Sequence, residues 1–226
     1  MYDDWDEEPA PRTKKSNLTN GVGVIKMNGP LVNKHSGWTA MCGGCSYEGI
    51  VAQAQELVNE GAKTIVMSID SGGGEAYGVF LASQEVRKIV DEAGVNLVRY
   101  VDGTCASAAY AMACVCDELI GNPYCEVGSI GVLIALQDKS KMLADIGVKP
   151  VFISAGKDKI PYAKDGSFRK EFLEDLQMKV DKLYNSFAEH VSMNTGLTVA
   201  EVKGTEAKCF MAEDALNLGL INKIMS

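Results

Sequence analysis

Val95-Asn-Leu-Val-Arg-Tyr-Val101 is a run of strand-forming residues. Asp102-Gly-Thr-Cys-Ala-Ser107 leads out of it, and Ala108-Ala-Tyr-Ala-Met-Ala-Cys-Val-Cys116 follows with the small, apolar residues of a packed helix. A strand that turns into a helix at a serine sets a hydroxyl where the first helical N–H groups point outward, and a developing oxyanion can be held there. The pattern repeats upstream. Thr64-Ile-Val-Met-Ser-Ile69 reads as a buried strand and runs into Asp70-Ser-Gly-Gly-Gly74, after which Val79, Leu81, Ala82, Val86 and Ile89 recur at helical spacing.

Working outward, Gly21 to Met27 is a short strand stopped by Asn28-Gly29-Pro30, and Tyr47 to Glu60 carries Ile50, Val51, Ala54, Leu57 and Val58 on one helical face. Downstream, strands are expected around Leu119–Ile120, Ile130–Leu136, Val148–Ile153 and Leu220–Ile224. Helices are expected near Lys139–Ile146, over 167–194 and from Met211 to Leu218. Strands alternating with helices predict an α/β domain with a mostly parallel sheet and flanking helices. Residues 1–20 are polar and charged, without hydrophobic periodicity, and read as a flexible arm; residues 21–226 form one domain.

The 226 residues suffice for one substantial core. A net charge of −8 and the absence of a basic stripe argue against nucleic acid as a partner. No stretch approaches the length of a membrane span, and Met1-Tyr-Asp-Asp-Trp-Asp-Glu-Glu8 is acidic where a signal peptide is basic, so the chain is expected in the cytoplasm. Of the seven cysteines, Cys105, Cys114, Cys116, Cys125 and Cys209 sit among apolar residues and read as free buried thiols. Cys42-Gly-Gly-Cys45 has no second pair to complete a zinc site, and no metal or cofactor is expected.

A serine hydroxyl needs a base. His35 and His190 lack any motif context. A lysine can serve if it is neutral, which near pH 7 costs roughly 4 to 5 kcal/mol for a group with a free pKa of ~10.4; burial can supply that shift, and Ser-Lys dyads are an attested variant of the triad. Ala155-Gly-Lys-Asp-Lys159 offers Lys157 and Lys159; Ile160-Pro161-Tyr162 gives Lys159 apolar company, but spacing does not choose between the two. The Ala108 N–H and the Gly72–Gly74 turn are candidates for the two oxyanion donors. Ser129, in Glu126-Val-Gly-Ser-Ile-Gly-Val132, could orient a lysine amine or be a plain turn serine. Cys105 is the rival nucleophile.

With these motifs the chain resembles the SppA-type peptidases: signal peptide peptidase A and the related bacteriophage capsid (prohead) maturation proteases. The resemblance rests on Ile25-Lys-Met-Asn-Gly-Pro-Leu31, Ile69-Asp-Ser-Gly-Gly-Gly74, Ala106-Ser-Ala-Ala-Tyr110, Val127-Gly-Ser-Ile-Gly-Val132, Gly156-Lys-Asp-Lys159 and Ala215-Leu-Asn-Leu-Gly-Leu-Ile221, in that order. It implies the Clp protease/crotonase fold with ββα-type units. It also implies Ser107 as nucleophile, Lys159 as base, Ser129 as the residue orienting that lysine, and Gly73 with Ala108 as oxyanion donors. Ala-Ala-Tyr after the serine and Ser46-Tyr47 before a helix are similar to the phage branch. Ser-Gly-Gly-Gly stands where the family more often has Ser-Pro-Gly-Gly.

The resemblance further implies a homo-oligomer whose active site is shared between subunits, acting on protein or peptide substrates. For a phage-encoded chain these are scaffold and capsid proteins, and the setting is the host cytoplasm or the assembling head. Competing readings are a soluble peptidase that degrades signal peptides, a catalytically silent assembly protein of the same fold, and a crotonase-type enzyme of acyl-CoA thioesters.

Overall fold

The computed structural model describes residues 18–34 and 45–225. Its strands are β1 (Leu18–Thr19), β2 (Val22–Asn28), β3 (Leu31–Val32), β4 (Cys45–Ser46), β5 (Thr64–Ser71), β6 (Asn96–Ala106), β7 (Glu118–Gly121), β8 (Glu126–Gly128), β9 (Cys209–Met211) and β10 (Lys223–Ile224). Its helices are α1 (Tyr47–Asn59), α2 (Val79–Ala93), α3 (Ala108–Ala113), α4 (Ser140–Asp145), α5 (Lys170–Thr195), α6 (Val199–Gly204) and α7 (Ala212–Asn217). Residues 1–17 of the expected arm lie outside the described residues, and Leu18–Thr19 pair with β2.

The main sheet runs β1-β2-β5-β6-β7-β10, and from β2 to β10 every pairing is parallel. Burial alternates along the central strands. Ile25, Met27, Ile65, Met67, Ile69, Leu97 and Val101 fill one face, and Ile50, Ala54 and Leu57 of α1 with Val79, Val86 and Val90 of α2 complete the core. Strand β6 serves two neighbours. Its first half pairs with β7 over Val98–Val101, and beyond a bulge its second half pairs with β8 over Thr104–Ala106. This forked strand delivers the chain to Ser107.

Helix α3 is buried at every position, which its alanines permit by letting the helix lie close to the sheet. It ends at Ala113, short of the expected Cys116. The long helix forms as expected, but only Phe187, Ala188, His190 and Val191 near its C-terminal end are buried. Ile130–Leu136 and Val148–Ile153 form no strands: neither run pairs with a strand of the sheet. From Gly131 to Ser186 no residue is buried, so this whole stretch stands off the core.

His190 closes the contact between α5 and α3. Its Nε2 donates to the Ala111 carbonyl at 2.9 Å, and its ring lies 5.0 Å from that of Phe80. Burial pushes its pKa below the ordinary 6.5; the Ala111 bond opposes this, and the buried Arg99 guanidinium adds to it. The unfolded chain therefore binds this proton more readily than the folded one. The stabilisation is complete above about pH 6.5 and is lost as pH falls through the folded value, by on the order of 1 kcal/mol per pH unit. Urea midpoints at pH 7.5 and 5.5 should show this loss in wild type and a smaller one in His190→Gln.

Candidate active site

Ser107 is the N-cap of α3, with φ 54° and ψ −123°. A non-glycine residue at positive φ is strained by about 1–3 kcal/mol, and such strain gathers at functional turns. Two backbone bonds hold it: the Ser107 N–H donates to the Gly128 carbonyl at 2.9 Å, and the Ser107 carbonyl accepts from the Ala111 N–H at 3.0 Å. Upstream, the Asp70 carboxylate accepts from the Thr104 N–H at 3.0 Å and fixes the bulge of β6. Ser107 is half-buried, in contrast to the fully buried helix it starts. The following residue, Ala108, is the first of α3, so its N–H has no partner within the helix.

The Gly72–Gly74 turn lies against this serine. Gly73 has φ 102°, and a Cβ there would stand 2.8 Å from Ser107 Cβ and 3.0 Å from the Ala108 nitrogen. Only glycine fits so close an approach at that φ. Leu31 N–H donates to the Gly73 carbonyl and Glu75 N–H to the Leu31 carbonyl, at 3.0 and 2.9 Å. That ladder leaves the Gly74 N–H on the side facing away from Leu31. The Gly73 N–H itself donates to Ser71 Oγ at 3.1 Å.

Ser129 follows the residue whose carbonyl holds Ser107. It is half-buried with φ 52°, and its N–H donates to the Lys208 carbonyl at 2.9 Å. Ala207, also at positive φ (53°), stands against Gly131, two residues on. Nothing in the sequence signals that contact. The fold thus brings Gly73, Ser107, Ala108 and the Ser129 turn together.

Lys159 lies elsewhere. It is exposed, in the stretch that stands off the core, and among the described residues no hydrogen bond joins it to Ser107 or Ser129. Lys157 is likewise exposed. Their loop is braced by an Asp158–Arg169 ion pair at 3.1 Å and by Phe152 and Phe168, each of which stacks on Tyr162.

Cys105 is fully buried, and burial pushes its thiol well above the ordinary value, which makes it unreactive. Cys105→Ala is expected to keep peptide cleavage within about threefold of wild type, at about 1 kcal/mol in stability for the small cavity; steady-state rates and a urea curve check both. Cys209 is exposed rather than set in apolar surroundings, because β9 lies at the sheet's margin. Cys42 and His35 fall outside the described residues. His190 is occupied in the core. Among the described residues no cluster of His, Cys, Asp or Glu could hold a metal ion, and no helix is long and apolar enough to cross a membrane.

The model of peptidase family S49 matches residues 89–226, a stretch that includes Ser107, Ser129 and Lys159. The chain belongs to peptidase family S49. With S49 membership the parallel sheet and its forked β6 are those of the Clp protease/crotonase-like fold. The chain is 30% identical over 210 residues to the head-tail preconnector protein GP5 of Enterobacteria phage P21, covering 92% of this chain and 42% of that protein. It is 27% identical over 222 residues to the capsid assembly protease C of Escherichia phage lambda, covering 97% and 50%. A probable protease SohB of Buchnera aphidicola subsp. Schlechtendalia chinensis is 31% identical over 161 residues, covering 71% and 52%. The S49 chain therefore spans about half the length of the relatives it matches. The Gly72–Gly74 turn precedes the stretch matched to the family model.

Proposed function

We propose that the chain is a serine endopeptidase with a Ser107–Lys159 dyad that processes scaffold or capsid proteins during phage head maturation. Lys159 takes the Ser107 proton, and Oγ attacks the scissile carbonyl. The oxyanion is held by the Ala108 amide and the Gly72–Gly74 turn; the Gly73 N–H is taken by Ser71 Oγ, and among the described residues no hydrogen bond engages the Gly74 N–H. Lys159 then protonates the leaving amine, and water hydrolyses the acyl-enzyme. Ser129 orients the lysine. The observation that carries this reading is the strained Ser107 turn with Gly73 packed against its Cβ.

In this reading the lysine reaches the serine of another copy. The stretch that bears Lys159 exposes Leu133 (81%), Val151 (78%) and Ile153 (97%), apolar residues that a neighbouring subunit would cover. The stretch also stands off the core that holds Ser107. The phage relatives' names, together with the similarity along nearly the whole chain, favour capsid and scaffold substrates.

Two inactive variants, Ser107→Ala and Lys159→Ala, should regain activity when co-refolded in equal amounts, because about one quarter of random pairings join an intact serine to an intact lysine. No recovery would place both groups in one chain. Incubation with co-encoded capsid and scaffold proteins, followed by mass-spectrometric mapping of new termini, tests the substrate class: termini that arise with wild type and not with Ser107→Ala support it, and intact proteins oppose it.

A further inference from the structure

Ser71 is the last residue of β5, and its side chain is buried, at 2% exposure. Its hydroxyl makes two bonds at once. It donates to the Gly29 carbonyl at 2.6 Å and accepts from the Gly73 N–H at 3.1 Å. Gly29 lies in the turn between β2 and β3, and its own N–H donates to the Asp70 carbonyl at 3.0 Å. One oxygen therefore ties the glycine turn to the turn between β2 and β3, 42 residues earlier in the chain.

The turn needs such a tie. Three consecutive glycines have the greatest backbone freedom of any sequence. Yet Gly73 must hold φ near 102° within van der Waals contact of Ser107. Donors to an oxyanion act through preorganisation, and an error of about 1 Å in position costs a large part of their effect.

We infer that Ser71 is a positioning residue for the oxyanion turn. Its hydroxyl orients the Gly73 peptide, and through it the amides that face the tetrahedral intermediate, without touching substrate. The inference rests on Ser107 being the nucleophile. Because the tie acts on the transition state, its loss should lower turnover and leave substrate binding nearly unchanged.

The test uses the 226-residue chain with a fluorogenic peptide, and rates are expressed per active site titrated with a fluorophosphonate. For Ser71→Ala the expected result is a kcat lower by about 10- to 100-fold, a KM within about threefold of wild type, and a parallel loss of affinity for a peptide boronate that forms a tetrahedral adduct. Ser71→Thr, which keeps the hydroxyl, should recover most of the rate. Ser71→Cys keeps the volume but bonds weakly; it should be slow like Ser71→Ala and stands in for it if that variant fails to fold.

A purely structural role would reduce the number of titratable sites and the melting temperature, with kcat per site unchanged. Wild-type kcat per site in Ser71→Ala, or Ser71→Thr as slow as Ser71→Ala, overturns the inference while the peptidase reading stands. A wild-type chain that is neither labelled at Ser107 nor active overturns that reading and, with it, the role of Ser71.

Discussion

Lys159→Ala is expected to lower peptide cleavage by about 10³-fold or more and to leave the urea midpoint within about 0.5 kcal/mol of wild type. The two halves of this expectation have separate grounds. The rate falls because a serine hydroxyl without a base is a poor nucleophile, so that only the oxyanion donors and substrate binding remain to accelerate the reaction. Stability holds because Lys159 is exposed and its side chain makes no ion pair among the described residues. The neighbouring Lys157 provides the control, since Lys157→Ala removes the same charge from the same loop and should leave turnover nearly intact. Steady-state kinetics on the three proteins, with the oligomeric state measured alongside, check this. Equal losses in Lys157→Ala and Lys159→Ala would point to a general effect of loop charge instead of a base.

Gly73→Ala is expected to cost about 10²- to 10³-fold in kcat, comparable to deleting an oxyanion donor. An added methyl would meet the Ala106 carbonyl oxygen and Ser107 Cβ at 2.8 Å each, and φ 102° is open to glycine alone. The turn must move to accept it, and it can only move away from Ser107. Like the loss of Lys159, this change should slow fluorophosphonate labelling, but unlike it, this change should leave the pH dependence of that labelling unaltered, because the base is untouched. Stopped-flow labelling across pH separates the two defects.

Much of the site could be read from the sequence because it depends on backbone demands that few residues meet. A serine between a strand and an alanine-rich helix, and a glycine triplet ending another strand, each specify a conformation before any contact is known. Other parts depend on distant partners. The role of Ser71 is set by a carbonyl 42 residues away, and the Lys208 carbonyl accepts from the Ser129 N–H without any composition signal. Ile130–Leu136 and Val148–Ile153 have the residues of strands, yet a strand is made by its pairing, and neither run pairs with one. Helix α6 carries a local signal of its own: Thr198-Val-Ala-Glu201 is a capping box, with Thr198 Oγ1 accepting from the Glu201 N–H at 3.2 Å. Residues 167–186 of the long helix have the apolar periodicity of a packed element, yet none of them is fully buried within one copy, and a sequence pattern cannot tell an intramolecular face from an intermolecular one.

The most direct measurement is site-mapped acylation. The assembled chain is treated with a fluorophosphonate and digested, and the modified residue is identified by mass spectrometry in wild type and in Lys159→Ala. A single label on Ser107 that forms at least about a hundredfold more slowly without Lys159 is the predicted result. A label on any other residue, or one that reaches Ser107 equally fast in both proteins, would contradict a lysine-activated Ser107.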